Sequence, residues 1–346
     1  ASDPNLTSYR GRMMGWLREH YPRTPFTFHD AAIGGTGSDL GLFRLDRDVF
    51  AHHPDLVFLD FTVNDNIGSV DPISLASYER ILRDLRSSGA AVIPVFMCLH
   101  GHIAAPSAPP PPLYQTHEKL AAHYSLMGAD TLGTARDAIA AGRTTADALY
   151  PIGRDTTHPD DAGYALFFEA ARDTWLKAAA STAPSPIPAE TVYPDRFPHR
   201  ERLILVDAPL PQGWTRAKTY RTSMWFDGLS SRWMGDVACA SAPSAAPLEI
   251  TFRGSFVGLF GERNPTTAPF RVWIDGKPVA QPGSKAADPL IWNIDSTRFG
   301  SNAANLFAWT VLAKNLKDGE HTLKIAPEFT AADSQLRIES ICAAGR

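Results

Sequence analysis

Asp55-Leu56-Val57-Phe58-Leu59-Asp60-Phe61-Thr62-Val63 is an apolar, partly branched run of strand length, the composition of a strand buried on both faces. After it, Asp71-Pro72 reads as an N-cap with proline at the first helical position. The helix that follows carries Leu75, Tyr78, Ile81, Leu82 and Leu85 on one side and stops at Gly89. Ala91 to Leu99 is the next apolar strand. Strand, helix and strand in this order indicate a parallel sheet covered on both faces, with ligands expected at the carboxyl ends of the strands. The flanks continue the alternation. Tyr9, Met13, Trp16 and Leu17 lie at helical spacing, Phe26 to Ala32 reads as a strand, and Leu40 to Phe50 as a helix. A proline-rich loop from Ala104 to Pro112 is expected on the rim of a site, before a helix from Thr116 to Met127.

Beyond about residue 200 the period changes to two. Leu248–Phe252, Phe256–Phe260, Phe270–Ile274, His321–Ile325 and Gln335–Glu339 are short strands between turn signals such as Asp275-Gly276 and Asp318-Gly319, the signature of an antiparallel sandwich. Between the two patterns, Ser181-Thr182-Ala183-Pro184-Ser185-Pro186-Ile187-Pro188 has the composition of a stiff linker. The expected organisation is an α/β domain over 1–182, a linker over 183–200 and an all-β domain over 201–346. Trp214, Trp225, Trp233, Trp273, Trp292 and Trp309 lie in the last of these. Such aromatic residues fill a sandwich core or stack on sugar rings.

The 346 residues, 44% hydrophobic and 20% charged, describe a globular chain, and no window approaches the ~20 apolar residues of a membrane span. A net charge of -4 gives no reason to expect nucleic acid as a partner. Cys98 lies in an apolar run and is expected to be buried and inert. Cys239 and Cys342 could form one bridge, which would suit an exported protein, and the chain opens at Ala1 as a processed form would; secretion or a periplasmic location is the expectation.

Chemistry is carried by three separated blocks. Asp155-Thr156-Thr157-His158-Pro159, followed by Gly163-Tyr164 and an Ala/Phe-rich helix, supplies an acid three residues before a histidine. A carboxylate on Nδ1 fixes the imidazole tautomer and stabilises the imidazolium formed when Nε2 takes a proton. Asp160 or Asp161 caps the helix. The loop Ile33-Gly34-Gly35-Thr36-Gly37-Ser38 offers backbone N–H groups, without the lysine or the spacing of a nucleotide loop. Asn64, in Val63-Asn64-Asp65-Asn66 at a strand end, has an amide that can donate to a developing oxyanion. Ser38 reads as a helix N-cap. His117-Glu118 with His123 is not a zinc-protease pattern, His100 and His102 lack further ligands, and no metal or cofactor is expected.

In order and character the three blocks resemble the SGNH or GDSL hydrolase family over roughly residues 1–180. The resemblance implies a flavodoxin-like three-layer sheet, followed here by a jelly-roll-like sandwich that looks like a carbohydrate-binding type of module. It implies Asp155 as orienting acid, His158 as general base, and Gly35 and Asn64 as oxyanion donors, with Gly34 and Gly37 as alternatives to Gly35. The family's first block, a strand ending in the nucleophilic serine, has no counterpart in this chain. Ser2 follows no strand and is a poor substitute, so the nucleophile is expected upstream of Ala1. The implied activity is ester hydrolysis through an acyl-enzyme, removing O-acetyl groups from a polysaccharide. The alternatives are a non-catalytic polysaccharide-binding protein with a degenerate hydrolase domain, or a lipase or thioesterase. Acylated small molecules or polysaccharides are the expected partners.

Overall fold

A computed structural model describes residues 5–181, 186–220, 232–241, 243–295 and 305–346. The chain divides into two compact units that meet between Asp195 and Arg196. Among the described residues no helix is long and apolar enough to cross a membrane.

The first unit carries helices α1 (Tyr9–His20), α2 (Ser38–Asp48), α3 (Pro72–Ser87), α4 (His100–Ile103), α5 (Pro112–His123), α6 (Thr131–Ala140) and α7 (Asp161–Ala179). Among them run three parallel strands, β1 (Leu56–Leu59), β2 (Ala91–Phe96) and β3 (Ala129–Asp130), in that spatial order. Sequence chemistry sets the helix starts. Ser8 caps α1 and Asp71 caps α3, the latter accepting from Ile73 and Ser74 with proline next in line. Ile81, Leu82 and Leu85 of α3 are fully buried, as their spacing requires. Ile93, Val95 and Phe96 of β2 pack with Leu132, Phe167 and Ala171 in one core cluster.

Two expectations for this unit need correction. Phe26 to Ala32 forms no strand, because among the described residues no strand lies beside it to take its N–H and C=O groups. An alternating pattern makes a segment fit for a sheet without supplying its neighbour. The run read as a strand through Val63 is paired only over Leu56–Leu59, and the chain turns from Thr62 onward. Part of the stretch read as a linker is tied down within the unit. The buried Glu79 accepts from Val192 N–H (2.7 Å) and Tyr193 N–H (2.8 Å), and Arg83 donates to the Pro188 carbonyl (2.8 Å).

The second unit is all β. Its strands are β4 (His199–Ile204), β5 (Trp214–Ala217), β6 (Val237–Ala240), β7 (Leu248–Arg253), β8 (Phe256–Arg263), β9 (Phe270–Ile274), β10 (Lys277–Val279), β11 (Ile291–Trp292), β12 (Leu306–Lys314), β13 (Glu320–Pro327) and β14 (Leu336–Gly345). One sheet has the order β10-β9-β13-β7, with β11 on β9; the other has β12-β8-β14-β6-β5, with β4 on β14. Inward residues of both, such as Phe252, Val272 and Ile325 facing Leu259, Leu312 and Ile341, share one core. Trp214, Trp233 and Trp292 are buried. Trp214 and Trp292 donate their indole N–H groups to the carbonyls of Ala246 and Val279, both at 2.8 Å. Trp225 lies outside the described residues.

The anticipated Cys239–Cys342 bridge does not exist; both are buried free thiols, as is Cys98. Cys239 pairs across to Arg337, and Cys342 lies five residues further along β14, about 16 Å away at strand rise and beyond disulfide reach.

Candidate active site

The Asp155–His158 turn is built by its own backbone. Asp155 N–H donates to the Pro151 carbonyl at 3.1 Å, and its Oδ1 accepts from Thr157 N–H (2.7 Å) and His158 N–H (3.1 Å). The other carboxylate oxygen, Oδ2, lies 2.6 Å from His158 Nδ1. Partial burial by itself would raise the Asp155 pKa. The hydrogen bond from His158 and the two N–H donors outweigh it and hold the carboxyl below its ordinary value. The His158 side chain is 73% exposed, and Nε2 makes no hydrogen bond among the described residues, so the basic edge of the ring faces outward. Asp160, rather than Asp161, caps α7 through Ala162 and Gly163 N–H. Gly163 is demanded by packing: a Cβ there would sit 2.4 Å from the Leu149 carbonyl oxygen.

The turn is joined to the sheet by His100, whose backbone N–H donates to the Thr156 carbonyl at 3.1 Å just beyond the carboxyl end of β2. The Asn64 turn leaves the carboxyl end of the neighbouring strand β1. Both lie at the edge of the sheet where a parallel α/β architecture places ligands. Asn64 is exposed, and its amide has no partner among the described residues. The glycine block closes on this turn: a Cβ on Gly37 would lie 2.6 Å from Asp65 Oδ1 and 3.9 Å from the Asn64 carbonyl oxygen. Gly35 is exposed with φ +74°, a conformation that other residues adopt only with strain. The N–H groups of residues 34–37 have no acceptor among the described residues, leaving an open run of donors.

Ser38 does not cap α2. Gly37 is the cap residue, and Ser38 is the first helical position, fully buried, with its hydroxyl 2.7 Å from Ser77 Oγ and 3.1 Å from the Ser74 carbonyl oxygen. Ser2 lies outside the described residues. The Pro-rich loop ends beside the Asn64 turn, where Leu113 N–H donates to the Ile67 carbonyl at 3.4 Å.

Sequence reasoning passed over the groups beneath the Asn64 turn. Burial pushes the Asp60 and Asp65 carboxyls up to about 7. His117, inspected only as a metal ligand, is wholly buried: its ring lies flat on Tyr78, its Nδ1 stands 3.3 Å from Thr62 Oγ1, and burial lowers its pKa to about 3. The position of Asp65 next to Asn64 was a usable signal; His117 offered none. A second acid–imidazole contact, His100 Nε2 to Asp147 Oδ1 at 2.8 Å, turns the ring's Nε2 onto the carboxylate instead of leaving it free.

Residues 3–166 match the model of the GDSL-like Lipase/Acylhydrolase family. A two-domain esterase (CEX) active on acetylated mannans, co-crystallised with mannopentaose, is similar in fold over 100% of this chain and 86% of its own, with a TM-score of 0.75 and 19% identity. A second crystal structure of a two-domain esterase (CEX) active on acetylated mannans gives a TM-score of 0.74 at 19% identity, over 100% of this chain and 87% of its own. Axe2, an acetylxylan esterase from Geobacillus stearothermophilus, covers 48% of this chain and 80% of its own, at a TM-score of 0.41 and 17% identity. No curated protein matches the chain.

Proposed function

We propose, proceeding from the match of residues 3–166 to the GDSL-like lipase/acylhydrolase family model, that the chain is a serine ester hydrolase that removes O-acetyl groups from a polysaccharide. The observation that carries this reading is the 2.6 Å contact between Asp155 Oδ2 and His158 Nδ1, with the far edge of the imidazole open. A serine hydroxyl attacks the acetyl carbonyl as His158 Nε2 takes its proton. Asp155 holds the ring in the reactive tautomer and stabilises the imidazolium. The Gly35 N–H and the Asn64 amide receive the oxyanion. The imidazolium returns its proton to the sugar oxygen that leaves. Water, deprotonated by the same histidine, then releases acetate and restores the serine.

The serine is assigned to sequence preceding Ala1. The support is the open side of β1: among the described residues Leu56–Leu59 pair with β2 and with no other strand. A strand ending in the nucleophile would pair with that open edge. The glycan substrate is supported by the two-unit fold shared along the whole chain with an esterase active on acetylated mannans. Export to the compartment that holds such a polymer belongs to the same proposal.

Acetate release from acetylated mannan and xylan by the natural full-length protein tests the reading, with His158→Ala as the control. Release that survives His158→Ala refutes it. A p-nitrophenyl ester series that favours long acyl chains over acetyl would point to a lipase instead.

A further inference from the structure

We propose that Asp65 is a positioning residue of this site: its carboxyl holds the glycine turn at the start of α2 against the Asn64 turn and so sets the spacing of the two oxyanion donors. This rests on the reading of Gly35 and Asn64 given above. Asp65 Oδ1 accepts the Ser38 N–H at 2.7 Å, and Asp65 N–H donates back to the Phe61 carbonyl at 2.8 Å, which closes the turn that presents Asn64. Ser38 is immobilised from its other side by Ser77 and Ser74 of α3. Gly37 has no room for a side chain because the carboxyl occupies that space. Thr36 Oγ1 donates to the Ile33 carbonyl at 3.0 Å and closes the turn that contains Gly35. A continuous set of short contacts therefore runs from Gly35 through Ser38 and Asp65 to Asn64.

Capping α2 does not account for the choice of an acid. Asp65 is 5% exposed, and its Oδ2 is buried without a partner among the described residues. A buried, half-satisfied carboxyl lowers stability, and such local conflicts are expected where geometry serves function. What the site uses is the acceptor oxygen on Ser38 N–H; an amide oxygen of the same reach serves equally.

The test is a double-mutant cycle in the natural full-length protein, read as kcat/KM on an acetyl ester together with the melting temperature. Asp65→Ala is expected to lower kcat/KM by roughly 10- to 100-fold, the scale of an ångström of misplacement, while Asp65→Asn stays within about 3-fold of the wild type. In an Asn64→Ala background Asp65→Ala should cost less than about 3-fold, since the donor it positions is already gone. An equal loss in both backgrounds, or no loss in either, overturns the proposal and leaves Asp65 a structural residue. Should Asp65→Ala fail to fold, Gly37→Ala displaces the carboxyl with Asp65 still present; it should lower kcat/KM similarly, and unchanged activity overturns the proposal. An Asn64→Ala enzyme of unaltered kcat/KM overturns the oxyanion reading itself.

Discussion

His117 lies face to face with Tyr78, ring centroids 3.7 Å apart and planes 6° from parallel, with Nε2 buried and unpartnered among the described residues. Burial holds its folded pKa near 3, below the ordinary 6.5, so between those values the unfolded chain binds a proton that the folded one refuses. Stability from this group is present above pH 6.5 and falls as the pH drops toward 3, by up to about 1.4 kcal/mol per pH unit. His117→Phe keeps the stack and removes the proton site. Melting curves at pH 4.5 and 7 should show a smaller acid loss in the variant; equal losses contradict the assignment.

Asp60 has the opposite sign. Its folded pKa, raised to about 7 by burial, exceeds the ordinary 3.8, so the folded state holds its proton longer. That contribution is full below pH 3.8 and lost as the pH rises through 7. Asp60→Asn retains an acceptor for the Thr62 N–H and cannot ionise. The variant should gain melting temperature relative to the wild type at pH 8 and lose that advantage at pH 4, as read by calorimetry.

His158→Ala and Asp155→Asn should separate activity from stability. The first is expected to remove at least ~10³-fold of the hydrolytic rate, and the second roughly 10²- to 10⁴-fold by loosening the tautomer. Both side chains sit in an exposed turn, so the melting temperature should move by no more than a surface substitution moves it. Acetate release and thermal melting on the same samples decide this.

Glu79→Ala should loosen residues 186–195. The carboxylate accepts from two backbone N–H groups and from Tyr124 Oη (2.5 Å), so its loss strands buried donors and should cost about 3 kcal/mol. Limited proteolysis should then cut within 186–195 under conditions where the wild type resists.

Legibility followed the range of the contacts. The Asp155–His158 pair could be read because acid and base lie on one turn. Helix α3 could be read because its Asp71-Pro72 cap and its apolar spacing are local. The Phe270–Ile274 strand was bounded correctly by its alternation and the Asp275-Gly276 turn. What failed depended on distant partners. Phe26–Ala32 has strand periodicity but no paired strand among the described residues, Cys239 and Cys342 share a domain yet stand far apart along the sheet, and the Ser38 hydroxyl turns to α3 instead of its own helix end. Strands β4 and β6 escaped notice, one being rich in arginine and glutamate and the other in alanine; their pairing with β14 makes them strands.

The two halves of the site differ in how far apart along the chain their parts originate. Acid and base are separated by three residues and share backbone hydrogen bonds, so loosening of the domain leaves their relation intact. The oxyanion donors proposed above, Gly35 and Asn64, come from two loops nearly thirty residues apart, clasped at the Ser38–Asp65 contact. Mild heat or denaturant should therefore part the clasp first, and inactivation would precede melting while the imidazole is still correctly oriented.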